Sequence, residues 1–234
     1  RCLVGSEMCI RDRYNWNYSS ENITQTDLSS YFKNYEGSFV LFNSNRDSWT
    51  VYDMEHATHR ISPDSTYKIY DALWGLEENI ITPQNSLLIW DGKDYPFEAW
   101  NTDLTLDSAM AASANWYFQT IDERLSLTRI QNYLNKIEYG NKNIMGGLSS
   151  YWLESTLKIS PVEQVELLKK LQTNNLEFHS NNLQAVKNSI LLSSVNDKKL
   201  YGKTGTGRID DKDVNGWFVG YIETTDNTLS LIHI

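Results

Sequence analysis

Ser65-Thr66-Tyr67-Lys68-Ile69-Tyr70-Asp71-Ala72-Leu73-Trp74-Gly75-Leu76 is the stretch on which the rest of the chain is read. Ser62-Pro63-Asp64 in front of it is a helix start, with cap-forming residues around a proline suited to a first turn. Ile69, Leu73 and Leu76, with Ala72 beside them, then recur at helical spacing and predict one buried stripe. Residues three apart on a helix share a face, which brings Ser65 and Lys68 together. A serine hydroxyl is a weak nucleophile until a neighbouring base takes its proton. Lysine is such a base only when uncharged, and burial disfavours its charged form. A serine at a helix N-terminus also meets free backbone N–H groups that favour a developing oxyanion. Ser65 is the candidate nucleophile and Lys68 its base.

Two more segments complete the set. Ser113-Ala114-Asn115 lies between predicted helices, and Lys203-Thr204-Gly205-Thr206-Gly207 lies on a predicted strand. A strand edge can align a carbonyl compound along its backbone, and Gly205 permits close approach. Lys203 and Thr204 add a positive charge and a hydroxyl for a substrate carboxylate. The short patterns also occur elsewhere: Ser155-Thr156-Leu157-Lys158 fits S-x-x-K and Ser194-Val195-Asn196 fits S-x-N. Ser155 precedes the Ser160 capping box in a segment expected to be irregular, where the spacing need not bring its side chain to Lys158. Ser194 sits at an expected helix exit, where turn formation explains it.

The chain of 234 residues is 40% hydrophobic and 12% aromatic with eight Trp, which implies a buried core. Its net charge of −9 argues against a nucleic-acid surface. No stretch approaches the ~20 apolar residues of a membrane span. Cys2 and Cys9 leave the body without a thiolate site, and His56, His59, His179 and His233 form no ligand motif, so no metal is expected.

Ser38–Phe42 and Trp49–Tyr52 predict a hairpin. Helices are predicted over Leu104–Ala112, through Phe118, Ile121 and Leu125, over Val162–Leu171 behind Ser160-Pro161-Val162-Glu163, and over Leu183–Leu192. Lys199–Thr206 and Gly216–Ile222 predict a second hairpin whose last strand, apolar on both faces, is central. This is an α+β layout in which one antiparallel sheet takes strands from both ends of the chain. Residues 1–13 and 229–234 read as adapter-like and foreign, with the domain expected over 14–228.

STYKIYDALWGL from Ser65, YPFEAWN from Tyr95, NWYF from Asn115, YGNKN from Tyr139, YWLESTLKIS from Tyr151, YGKTGTG from Tyr201 and NGWFVGY from Asn215 carry a family resemblance. From about Gly37 to Tyr221 the chain resembles the class D β-lactamase fold, and more closely the extracellular sensor domain of BlaR/MecR-type antibiotic receptors. The resemblance implies a serine β-lactamase/penicillin-binding-protein (transpeptidase-like) fold, here without its last strand and helix. It implies β-lactam antibiotics as ligands, Ser65 as the acylated serine, and Lys68 as a base able to take up carbon dioxide as a carbamate. It further implies Ser113 as proton relay, Lys203 and Thr204 on the drug carboxylate, and backbone N–H groups of Ser65 and Thr206 as oxyanion hole. Trp152 matches a tryptophan that hydrogen-bonds the carbamate. Asn115 replaces the valine usual in class D hydrolases, a replacement the sensors share. The implied setting is the extracellular face of the cytoplasmic membrane with a membrane-embedded protease as partner, or secretion for a hydrolase. A cell-wall D,D-peptidase is the third reading.

Overall fold

The structure, a computed structural model, describes residues 13–33, 35–225 and 228–233. Cys2, Cys9 and residues 1–12 of the segment expected to be foreign lie outside them. The expected hairpin forms β2 (Phe39–Asn43) and β3 (Ser48–Tyr52), antiparallel with Val40 opposite Val51. Alternation of burial along both strands puts Val40, Phe42, Trp49 and Val51 in the core. Ahead of them, the polar leader supplies β1 (Ile23–Gln25), parallel to β3, and a short α1 (Ser29–Phe32).

The second hairpin joins β5 (Lys198–Ile209) to β6 (Lys212–Glu223) through Asp210 and Asp211, both at positive φ. With β4 (Leu191–Val195) and β7 (Thr228–His233) the sheet of the described residues reads β1-β3-β2-β7-β6-β5-β4. β6 is therefore central, as its apolar faces predict. The stretch expected to be a foreign tail supplies β7 between β2 and β6, in the place where a missing strand was expected. β4 was not foreseen: the predicted helix over Leu183–Leu192 ends earlier, as Ser180–Ser189, and Ser194 pairs with Lys199 instead of closing a turn.

The helical middle packs against this sheet. α2 (Met54–Thr58) leads into a 3-10 turn, Asp64–Tyr67, which continues as α3 (Lys68–Glu77). α4 (Leu106–Ala112) starts on a Thr105–Ser108 capping box and ends at Ser113, which adopts the left-handed conformation at φ 54°. α5 (Asn115–Leu125) follows at once, then α6 (Leu127–Ile137), which the sequence reading missed. α7 (Pro161–Gln172) begins on the expected Ser160–Glu163 box, and α8 is Ser180–Ser189. Two consequences position the site. Every residue of α3 from Lys68 to Leu76 is buried, so this helix is the centre of the domain. β4 pairs with β5 only as far as Tyr201, which leaves the outer edge of Lys203–Gly207 facing the Ser65 turn. A side chain at Gly205 would meet the Pro63 carbonyl and Thr66 at 3.2 Å, which is why glycine stands there.

Candidate active site

Ser65 is half-buried while Ser62 to Asp64 and Thr66 to Tyr70 are buried, so the turn presents one hydroxyl to solvent. The turn itself is fastened from several sides. Asp64 N–H donates to the Trp152 carbonyl at 3.0 Å, Thr66 Oγ1–H to the Pro63 carbonyl at 2.6 Å, and Gln164 Nε2–H to Thr66 Oγ1 at 2.7 Å.

Lys68 is 0% exposed and its Nζ lies 2.8 Å from Ser65 Oγ. The same nitrogen lies 2.7 Å from the Ser113 carbonyl, 3.1 Å from Ser113 Oγ and 2.6 Å from Asn115 Oδ1. The left-handed turn at Ser113 makes this convergence possible: it ends α4 and starts α5 within two residues, so a carbonyl, a hydroxyl and an amide face one amine. Burial, helped by the Lys203 ammonium, holds the Lys68 amine well below the usual lysine value. An uncharged amine has two N–H donors and one lone pair. The Ser113 carbonyl and Asn115 Oδ1 only accept, so they draw both N–H groups and leave the lone pair to the Ser65 O–H. The arrangement is a hydroxyl hydrogen-bonded to its base.

Lys203 reaches the same place from β5. Its Nζ donates to Ser113 Oγ at 2.9 Å and to the Thr204 carbonyl at 2.8 Å, and burial lowers its pKa to about 8. Ser113 Oγ thus stands between two amines, a position suited to relaying a proton. Gly205 is buried on the same strand, while Thr204 and Thr206 are exposed on the alternate positions. Trp152 is placed differently from the role the resemblance implied. Its ring lies 5.3 Å from Lys68 Nζ, but its indole N–H donates to Asp122 Oδ2 at 2.9 Å.

The competing patterns separate cleanly. Lys158 Nζ donates to Ser62 Oγ at 2.9 Å, and the Ser155 segment is irregular as expected. Tyr139-Gly140-Asn141 is more than a turn: Asn141 bonds the backbone of Thr156 and Lys158, and Gly140 sits at φ +47°, where an added Cβ would lie 2.0 Å from the Lys158 carbonyl. It clamps the loop that carries Trp152.

Several site carboxyls were not foreseen. Asp64 is buried against Glu154 and accepts from Glu154 N–H and Asn215 Nδ2 at 3.2 Å each. Burial, then the neighbouring Glu154 carboxylate, pushes its pKa from 3.8 up to about 8. A carboxyl whose folded pKa is raised stabilises the fold at pH below the unfolded value and loses that contribution as pH rises through the folded one. Stability is accordingly expected to fall between about pH 4 and pH 8, and Asp64→Asn to flatten that decline in urea titrations. Unchanged slopes in the variant would refute this assignment.

Comparison with known proteins agrees with this geometry. Residues 23–234 match the family model for the penicillin binding protein transpeptidase domain. The chain is 43% identical over 218 residues to the methicillin resistance mecR1 protein of Staphylococcus aureus, covering 93% of this chain and 37% of that protein. It thus spans little more than a third of the length of such curated relatives. The solved C-terminal domain of the Bacillus licheniformis BlaR penicillin-receptor superposes with a TM-score of 0.85 at 43% identity, covering 91% of this chain and 87% of that one. The class D β-lactamase BAT-2 also gives 0.85, at 35% identity, with 89% and 87% covered.

Proposed function

The chain belongs to the penicillin-binding protein transpeptidase-domain family, in the group that holds the BlaR penicillin-receptor domain and class D β-lactamases, and from this we propose that it senses β-lactams. Ser65 Oγ passes its proton to Lys68 Nζ and attacks the lactam carbonyl carbon. The lactam C–N bond breaks, and the departing nitrogen takes the Ser113 O–H proton. Ser113 regains one from Lys68 across 3.1 Å, so the amine ends as it began. The Lys203 ammonium steadies Ser113 and attracts the drug carboxylate, with Thr204 beside it on β5. The exposed edge at Gly205 and Thr206 receives the drug backbone, and N–H groups of Ser65 and Thr206 hold the oxyanion.

The observation that carries the sensor reading is the 2.6 Å contact between Asn115 Oδ1 and Lys68 Nζ. Hydrolysis of the ester needs a base aimed at a water beside the acyl carbon, whereas the Lys68 lone pair is aimed at the Ser65 oxygen 2.8 Å away. A carbamate on Lys68 would be such a base, but forming it requires replacing an N–H that Asn115 or the Ser113 carbonyl holds. The acyl ester then persists. In the parent receptor this long-lived adduct would report, from the extracellular face of the membrane, to a membrane-embedded protease. A class D hydrolase is the alternative, and the likeness to BAT-2 keeps it in view.

Intact-mass spectrometry after mixing with benzylpenicillin distinguishes them. The sensor reading predicts a gain of one whole drug molecule, since ring opening expels nothing, persisting for hours. Return of the free protein mass within minutes would establish turnover instead.

A further inference from the structure

The Ser65 turn meets the β5 edge at two glycines, one on either side of Thr206. A Cβ on Gly205 would stand 3.2 Å from the Pro63 carbonyl. One on Gly207 would stand 1.8 Å from Glu154 Oε1 and 2.8 Å from Asp64 Oδ2. The two carboxyl groups therefore share one small volume over Gly207, where only glycine leaves room for them. Asp64 immediately precedes Ser65 and Gly207 immediately follows Thr206, so this contact adjoins both N–H groups assigned to the oxyanion. Asp64 is 1% exposed and is fastened to the Trp152 loop and to β6. Its N–H donates to the Trp152 carbonyl at 3.0 Å, while its Oδ1 accepts from Glu154 N–H and its Oδ2 from Asn215 Nδ2, both at 3.2 Å. Asn215 Nδ2 also donates to the Ser62 carbonyl at 3.1 Å. Glu154 Oε1 is buried, and no N–H donor reaches it among the described residues. A buried carboxyl oxygen without a donor is unfavourable, and two carboxylates in one volume repel. A proton on Asp64 Oδ2, donated to Glu154 Oε1, removes both penalties.

We propose that Asp64 and Glu154 are positioning residues for the oxyanion hole, a single proton between their carboxyls clamping the Ser65 turn, the Trp152 loop and the Gly207 end of β5 together. They act through the N–H groups of Ser65 and Thr206, and the inference rests on Ser65 being the acylated residue. Burial, then the Glu154 carboxylate, raises Asp64 to about 8, in keeping with a proton held there at neutral pH. Above that pH both carboxyls are charged, repel over Gly207 and loosen the hole. Other ionisable groups face the pair: Lys68 and Tyr139 from the helical side, and Glu36, His56, His59 and Lys158 around the adjoining cavity. Lys158 is engaged by Ser62 Oγ at 2.9 Å and His56 by Asp53 Oδ2 at 2.8 Å.

The test compares Glu154→Gln with Glu154→Met, two substitutions of similar length. Glutamine donates an N–H to the Asp64 carboxylate and keeps the clamp, with the net charge of the singly protonated pair. Methionine fills the space but has no N–H to donate. Acylation by benzylpenicillin, followed by intact mass over a range of drug concentrations, separates the drug's dissociation constant from the limiting rate. The oxyanion exists only during reaction, so Glu154→Met should lose about 10-fold or more in limiting rate with its dissociation constant within about threefold of wild type. Glu154→Gln should keep both values at neutral pH. As pH rises through about 8, the wild type should slow relative to Glu154→Gln, by about threefold or more. That ratio cancels the titration of Lys203, which both chains share. Equal limiting rates in the two variants, or a ratio that does not change with pH, overturns the inference. The ratio decides alone if Glu154→Met does not fold. Infrared spectra without drug separate this inference from the sensing reading. At neutral pH the wild type should show a buried protonated carboxyl band that Glu154→Gln lacks, because a third N–H then holds Asp64 as the carboxylate. The buried carboxyls Asp71 and Asp122 contribute to both spectra, so the difference reports Asp64. A difference without that band overturns the pair even in a chain that acylates. A chain that shows the band and fails to acylate keeps the pair and loses the sensing reading.

Discussion

Replacing Lys68 with methionine is expected to slow Ser65 acylation by about 10²–10⁴-fold, the range that a positioned general base supplies. Methionine fills a similar volume and keeps the pocket closed. It removes the lone pair facing the hydroxyl at 2.8 Å. No substitute is at hand: Lys203 Nζ reaches Ser113 Oγ, not Ser65, and Asn115 lacks a basic nitrogen. The variant also orphans the Ser113 carbonyl and Asn115 Oδ1, costing about 1–3 kcal/mol for each unsatisfied group. That loss is offset by no longer burying an amine, so circular dichroism should report the same fold. Time-resolved intact mass measures the rate. Acylation within threefold of wild type would remove Lys68 from the chemistry.

Asn115→Val is expected to act at the opposite end of the reaction. In the wild type, Asn115 Oδ1 and the Ser113 carbonyl each hold an N–H of Lys68. Valine releases one of them into an apolar pocket, where the amine can bond to carbon dioxide and give up a proton to become a carbamate. The carbamate oxygen then draws a proton from water attacking the acyl ester. Adduct lifetime should shorten by about 10²-fold, at the lower end of the general-base range. Added bicarbonate should shorten it further. A lifetime unchanged at every bicarbonate concentration would contradict the account. The comparison isolates one carbonyl oxygen, because Val and Asn are close in size and α5 continues unchanged beyond the position.

The helix around Ser65 was legible because an apolar stripe and a cap speak through local spacing. Ile69, Leu73 and Leu76 are buried as their periodicity predicts, and Ser160–Glu163 forms its box. α6 escaped because it follows α5 with only Ser126 between them, and one merged apolar pattern hides the break. β4 escaped for another reason: Leu191–Val195 is exposed along its whole length, so alternation gave no signal, and only pairing with β5 defines it. In the site, Ser65, Lys68, Ser113, Asn115 and Lys203 converge as their motifs imply. The carboxyls at 64, 71 and 122 did not announce themselves, since an aspartate in a sequence reads as surface until burial is known. Asp71 had one available signal, its place three residues after Lys68 on a helix with no exposed face. The direction of the Trp152 indole had none, because Asp122 reaches it from 30 residues away.

The central claim is that Lys68 is an uncharged amine in a closed pocket at neutral pH. Carbon-13 NMR of lysine Cε, with the Lys68 signal identified by its loss in Lys68→Met, follows that amine directly as pH is raised. A midpoint well below the 10.5 of ordinary lysine is the predicted result. A Lys68 signal that titrates at 10.5 or above would mean a charged, solvated amine beside Ser65, and would contradict the account.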